Sequence, residues 1–307
     1  ETPLGRREGA LGGACTYFAT AASLYDRVHM VGVVGSDFPQ EHLRFFQSRN
    51  IDLRGLQVAD GQTFRWAGRY GHDLGDAETL DTQLNVFGDF HPVLPAGVAE
   101  APFVFLANID PDLQIEILQQ VRTPRLTALD SMNFWMHFKR DALGRALRMV
   151  DIVLLNESEV RLYAGEANLL AAARAILSLG PRALVIKRGE HGATLVTASA
   201  GADGLFMTPA YPVEAVVDPT GAGDTFAAGF MGYLARSGDL SVGGLRRALA
   251  HGAVVASFAV EDFSIDRLRH LTLEEIEARY RALRWMTHFD SLSLTESGLL
   301  ARPVGQG

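Results

Sequence analysis

Cysteine is nearly missing from this sequence. Cys15 is the single thiol in 307 residues, so no intrachain disulfide can form and the fold must be held by its core. Its setting, ACTYFATAA, suits a small buried hydrophobe better than a reactive thiol. Long apolar runs are missing too: no stretch reaches the roughly 20 residues needed to span a bilayer. With no charged-then-apolar leader visible, the expected location is cytoplasmic and no membrane partner is expected. Positive charge is in deficit, with 28 Lys and Arg against 36 Asp and Glu for a formal net charge of −8. That balance argues against a broad nucleic-acid surface and leaves room for a local basic phosphate pocket. Repeats and low-complexity linkers are absent, and at 48% hydrophobic residues the chain has the composition of a globular α/β protein.

The pattern along the chain alternates strands with helices. VHMVGVVG (Val28 to Gly35) reads as a buried parallel strand, and Leu43 with Phe46 marks an amphipathic helix after it. FVFLAN from Phe103, TALD from Thr127, IVLLN from Ile152 and ALVIKRG from Ala183 repeat the strand signal, with helical runs between them. Such alternation predicts a mostly parallel sheet covered on both faces. Between Leu56 and Val93 the texture changes: QTFRWAGRY and TLDTQLNVF carry aromatics, threonines and partial alternation around GHDLGD, which reads as a few strands projecting as a lid. Ile276, Tyr280 and Leu283 mark one face of a helix near the end. Residues 1–55 and 94–290 are therefore expected to form the main domain, 56–93 an inserted β-rich lid, and 291–307 a tail.

The chemical centre is VVDPTGAGDTFAAGF, Val216 to Phe230. Gly221 and Gly223 let backbone N–H groups converge just where a helix is expected over 225–235, and unpaired amides at a helix start favour an anion. Asp224 admits two readings there: a structural cap or first-turn acid, or a base that takes a proton from an attacking alcohol. GAGD is not a dinucleotide fingerprint, because Phe226 occupies the third small position and the motif lies far from the first strand. A Gly-Lys-Ser/Thr phosphate loop is absent as well.

DPTGAGDTFAAGF, Asp218 to Phe230, resembles the carboxy-terminal signature of the ribokinase-like, or PfkB, carbohydrate and nucleoside kinases nearly residue for residue. The resemblance spans roughly Gly12 to Tyr280 and implies a three-layer α/β/α domain with a small β lid. It also implies transfer of the ATP γ-phosphate to a hydroxymethyl group, with Asp224 as catalytic base and the Gly221-Ala222-Gly223 backbone as anion hole. NESE matches the family's Asn-x-x-Glu arrangement, which gives Asn156 and Glu159 the organisation of Mg2+ and its water shell. On residue type alone the same two are a reciprocal helix cap. KRGEHGA resembles the segment beside the nucleotide, with Gly189 and Gly192 allowing close backbone approach; Lys187 is there either a phosphate contact or a surface lysine. AHGAVVASFAVEDF, containing Ser257, is similar to the helix and loop around the adenine site, or else is tight helix packing. In relatives that use a monovalent cation such as K+, the positions of Asp218 and Thr220 hold it.

At the amino end GGACTYFATAA resembles the family's GGxxxN sugar-contacting helix, so Gly12 and Gly13 are substrate candidates and Tyr17 stands where asparagine is usual. Asp37 closes the GSD-like turn, with Pro39-Gln40-Glu41 in place of a glycine environment. The family's first strand, which carries a substrate-binding aspartate, has no counterpart before Gly12, and a truncated start at Glu1 is the expectation. GQTFRWAGRY, ETLDTQLNVF and DSMNFWM resemble a nucleoside-kinase-like branch, with Tyr17, Phe64, Trp66 and Phe134 as candidates for a base pocket. The implied function is an ATP- and Mg2+-dependent kinase acting on a nucleoside. A sugar kinase for a ribose- or fructose-like substrate is the nearest alternative, and a noncatalytic nucleoside or nucleotide sensor a third. The lid is also a candidate dimer surface. Asp224→Asn is expected to keep the fold and to lose most phosphate transfer in a coupled assay; near-wild-type turnover rejects the assigned base.

Overall fold

The computed structural model describes residues 1–72, 74–75, 77–198 and 204–288. The expected tail over 291–307 lies outside them, as do two positions of the GHDLGD segment. Strands β5 (Phe103–Leu106), β6 (Leu126–Asp130), β7 (Ile152–Asn156), β8 (Ala183–Lys187), β9 (Ala193–Thr197) and β10 (Leu205–Thr208) form one sheet in the order β10-β9-β8-β7-β6-β5. β5 to β8 run parallel, while β9 and β10 are antiparallel additions at the far edge.

Alternation along the buried strands distributes their side chains between two helical layers. Ile152 and Leu154 of β7, with Ala183 and Val185 of β8, pack against Phe226, Phe230 and Leu234 of α8 (Ala222–Ser237) and Leu245 and Leu249 of α9 (Val242–Ala259). Val153, Leu155, Leu184 and Ile186 turn to the opposite face, against Ile117 of α3 (Pro111–Gln120), Leu143 and Leu147 of α5 (Arg140–Leu147), Val160 of α6 (Glu157–Ala164) and Ile176 of α7 (Leu169–Leu177). The result is the expected α/β/α architecture. The bodies of β7 and β8 are apolar because both of their faces are covered.

A third cluster joins α1 (Ala14–Ala22), β1 (Val28–Gly35), α9 and α10 (Leu273–Thr287), with Tyr17, Met30, Phe258, Ile276 and Leu283 among its buried members. Phe46 of α2 (Gln40–Ser48) is buried there too. β1 pairs in parallel with β2 (Ile51–Ala59) as a separate two-stranded sheet, so β2 runs past residue 55, where the projecting segment was expected to begin. β3 (Arg65–Arg69) and β4 (Glu78–Gln83) form an antiparallel hairpin of their own. α4 (Asn133–Phe138) is a short helix after β6. No helix of the described residues is long and apolar enough to cross a membrane.

Helix ends follow local chemistry. Asp110 caps α3 by accepting from Asp112 N–H, with Pro111 in the first turn, and Thr272 with Glu275 forms a capping box on α10. Phe230 is fully buried whereas Trp285 is 80% exposed, which separates core from surface in a testable way. Phe230→Ala is expected to cost about 3–5 kcal/mol in urea unfolding. Trp285→Ala should stay within about 0.5 kcal/mol of the parent.

Candidate active site

Parallel strands deliver their last residues to one edge of the sheet, and in open α/β sheets that edge is where ligands bind. Here β6 ends in Asp130, β7 in Asn156 and β8 in Lys187, with Asn156 and Lys187 in direct register. Asp130 and Lys187 stand two strands apart, about 10 Å at the usual spacing between neighbouring strands. A long side chain is required to join them. Lys187 crosses the end of β7 and its Nζ donates to Asp130 Oδ2 at 2.5 Å, with side-chain exposures of 16% and 5% for the two partners.

The turn before α8 faces this edge. Asp218 is buried and its Oδ1 accepts from Thr220 N–H at 2.9 Å, shaping the turn. Gly221 follows at φ 77°, the left-handed conformation that favours glycine. A Cβ there would lie 2.4 Å from ring carbons of Tyr17, so the Tyr17 ring forms the floor of the turn. Tyr17, expected as a substrate or base-pocket contact, is 2% exposed, with its ring packed under the turn. Burial, then the charges of Asp218 and Asp224, hold its phenol well above the usual range, so it stays neutral.

The expected three-residue anion hole loses Ala222. Ala222 N–H donates to Pro219 O at 3.1 Å and closes the turn, while Thr225 N–H donates to Gly221 O at 2.8 Å. The Gly223 and Asp224 amides between them have no backbone partner among the described residues, and no side chain caps this helix start. With the Gly221 amide, which likewise has no backbone partner among the described residues, these are the donors left for an anion. Lys187 adds a full charge beside them, because a Cβ on Gly223 would lie 3.3 Å from its Nζ.

Asp224 sits in the first turn of α8, half-buried. Burial and then the Asp130 charge push its pKa from 3.8 to about 7, with Lys187 pulling the other way. Burial works against the Lys187 charge, yet the carboxylates of Asp130, Glu159 and Asp224 hold its proton more tightly than an ordinary lysine's. Cys15, in the first turn of α1, reaches solvent but is closely surrounded; burial and then Asp224 push its thiol up to about 11. It is a protonated bystander in the same depression.

Asn156 and Glu159 form the reciprocal cap of α6: Asn156 Oδ1 accepts from Glu159 N–H at 2.8 Å and Glu159 Oε2 from Asn156 N–H at 2.7 Å. Gly189 opens onto free space, whereas a Cβ on Gly192 would lie 2.0 Å from Thr208 O, so Gly192 is required by strand packing. Ser257 donates to Val254 O at 2.6 Å and accepts from Arg279 at 2.8 Å. Its hydroxyl is thus spent on helix packing, not turned to an adenine. Gly12 and Gly13 are exposed at the start of α1. Asp37 is committed to the base of β3, accepting from Thr63 N–H at 2.7 Å and Thr63 Oγ at 2.6 Å; these bonds hold its carboxyl below the usual range. At the other end of β3, Thr220 Oγ lies 3.3 Å from Tyr70 Oη, which ties the hairpin to the turn before α8.

The expected base-binding aromatics are not brought into one pocket. Phe64 packs edge-on against Phe87 at 5.8 Å, and Trp66 lies over Gly68 with its Nε1 donating to Thr79 Oγ at 3.2 Å. Phe134 belongs to α4, where it packs on Trp135 and Phe138. The residue that sequence reasoning missed is Asp130. Its only signal was a charged residue closing an apolar strand, a feature shared with Lys187.

The chain matches the family described as pfkB family carbohydrate kinase over residues 5–267. It is 32% identical over 239 residues to the cytidine kinase of Thermococcus kodakarensis, covering 75% of this chain and 83% of that protein. Its fold matches a Burkholderia thailandensis nucleoside kinase in complex with inosine at a TM-score of 0.73 and 21% identity, covering 91% and 87% of the two chains. It also matches a putative ribokinase II from E. coli in complex with ATP and Mg2+ at 0.74 and 20% identity, covering 90% of each. Gly221→Ala is expected to lower stability by about 1–3 kcal/mol from backbone strain. By pushing Tyr17 and misplacing the start of α8 it should also lower turnover about 100-fold. Thermal melts and steady-state assays check the two effects separately.

Proposed function

We propose that this chain, which belongs to the pfkB carbohydrate kinase family, transfers the γ-phosphate of ATP to the primary hydroxyl of a nucleoside. The kinase class follows from the family; the nucleoside is supported by its relatives, which include the cytidine kinase at 32% identity and a nucleoside kinase of Methanothermobacter thermautotrophicus at 29%. One observation carries the mechanism: a carboxyl of pKa about 7, Asp224, stands in the first turn of a helix whose free amides and neighbouring ammonium suit a phosphoryl group. A base poised near neutrality combines a usable fraction of carboxylate with real affinity for the alcohol proton. In this reading Asp224 takes the hydroxyl proton as the oxygen attacks. The Gly223 and Asp224 amides with Lys187 Nζ stabilise the charge on the moving phosphoryl oxygens.

No group of three or more His, Cys, Asp or Glu side chains among the described residues could cage a metal, and Glu159 is already engaged as a cap. Those donors fit a Mg2+ ion that keeps most of its waters and is carried by the nucleotide phosphates, with Asn156 and Glu159 ordering the water shell. Bound there, Mg2+ supplies neutralisation of phosphate charge. The β3–β4 hairpin, anchored through Asp37 and Tyr70, serves as the lid that excludes competing water.

A panel of cytidine, adenosine, inosine, ribose and fructose with ATP and Mg2+ tests the substrate class. Nucleosides are expected to be phosphorylated with the highest kcat/KM, and turnover confined to free sugars would overturn the assignment. Because the carboxylate is the active form, kcat/KM should rise with pH through about 7 and be lost as pH falls below it.

A further inference from the structure

We propose that Asp130 is a positioning residue of the transfer site: its buried carboxylate draws the Lys187 ammonium across the end of β7 and holds it against Gly223, where it meets the phosphoryl group in transit. The inference rests on the kinase reading above and adds to it a residue that touches neither substrate nor nucleotide.

Geometry carries the argument. Lysine is a flexible four-carbon chain with a point charge, and left alone at a strand end it turns to water. Lys187 instead runs sideways over two strands, and its Nζ bonds Asp130 Oδ2 at 2.5 Å with little exposure on either side. Asp130 is itself fixed: its Oδ1 accepts from Ser131 N–H at 2.9 Å, and its main-chain oxygen accepts from buried Gln114 Nε2 at 2.9 Å. A buried glutamine amide thus holds the end of β6, which holds the carboxylate, which holds the ammonium. The ammonium ends 3.3 Å from the Cβ position of Gly223, beside one of the free amides at the helix start. Any larger residue at 223 would stand between the ammonium and that amide.

The same arrangement acts on the base. The groups facing Asp224 are Asp130 and Lys187 from the sheet and Cys15 and Tyr17 from α1. Glu159 of α6 faces Lys187, and Tyr70 faces Tyr17. Cys15 and Tyr17 stay protonated near neutrality, so Asp130 and Lys187 are the charged groups that set the proton affinity of Asp224. Asp130 raises it by its own charge, and the Lys187 ammonium that it holds in place lowers it by a smaller amount.

The test compares Asp130→Asn, Lys187→Met and the double variant with wild type in full pH profiles, alongside titration with ADP and with the nonhydrolysable analogue AMP-PNP. Each variant is expected to lose about 100-fold in kcat, with the nucleoside KM within about threefold. The double variant should be no worse than the poorer single, because the two residues act as one device. In Asp130→Asn the acid limb of kcat/KM should move down by about one pH unit, and AMP-PNP should weaken more than ADP. A folded Asp130→Asn enzyme with wild-type kcat, or with its acid limb unmoved, overturns the proposal. If that variant does not fold, the double variant decides, since it leaves no unpaired buried charge, and wild-type kcat there is equally fatal. Failure of the kinase reading itself has a different signature, no phosphoryl transfer by the wild-type chain to any member of the substrate panel.

Discussion

The balance of charge around Asp224 is the constraint on which the rest of this site depends. A carboxylate that is too stable as an anion takes no proton from an alcohol, and one that is too unstable is never ionised. Burial and Asp130 push its pKa up while Lys187 pulls it down, and the two sides leave it near neutrality. The helix start contributes to the stabilising side, because α8 begins with amides that no side chain caps.

That balance needs residues far apart in sequence to meet within one side chain's reach, and the parallel sheet supplies the meeting place. Asp130 and Lys187 lie 57 positions apart, yet both are last residues of strands in a single sheet. The apolar bodies of β6, β7 and β8 are covered on both faces, so their positions are fixed by packing on both sides. The charged residues of these strands then appear where the strands emerge, at Asp130 and Lys187. Rigidity in the core and chemistry at the strand ends are thus two consequences of the same hydrophobic pattern.

Elements dictated by that pattern were legible from residue order. VHMVGVVG became β1 with the expected ends, IVLLN became β7, and the glycine turn before α8 fell at Gly221. The antiparallel pair β9 and β10 was not read, and β2 ran four residues past the expected boundary because its parallel pairing with β1 continues to Ala59. Side-chain destinations were least legible. Nothing local in TYF says that the Tyr17 ring lies under Gly221, and nothing in VASFA says that Arg279 of a later helix takes up the Ser257 hydroxyl. Tertiary contacts decide both. Ala222 shows the same limit on a smaller scale: its residue type fits an anion hole, but the turn that makes the hole consumes its N–H.

The charge count of the site has one more consequence. Lys187 is the single ammonium among Asp130, Asp224 and Glu159, so the cluster is negative in its own right, an unpromising place to bring a phosphate. Three features make it workable. Asp130 is bound to Lys187, whose ammonium offsets part of its charge. Glu159 is turned into the α6 cap, where its Oε2 accepts from Asn156 N–H. Burial pushes the Asp224 pKa up to about 7, which moderates its negative charge near neutral pH. The remaining deficit falls to groups without a side-chain charge, the free amides of Gly223 and Asp224. Their dipoles are fixed by the helix and cost no reorganisation when charge moves onto them. An anion is thereby favoured at one point of an acidic neighbourhood, beside Gly223, and that point lies next to the group that takes the proton.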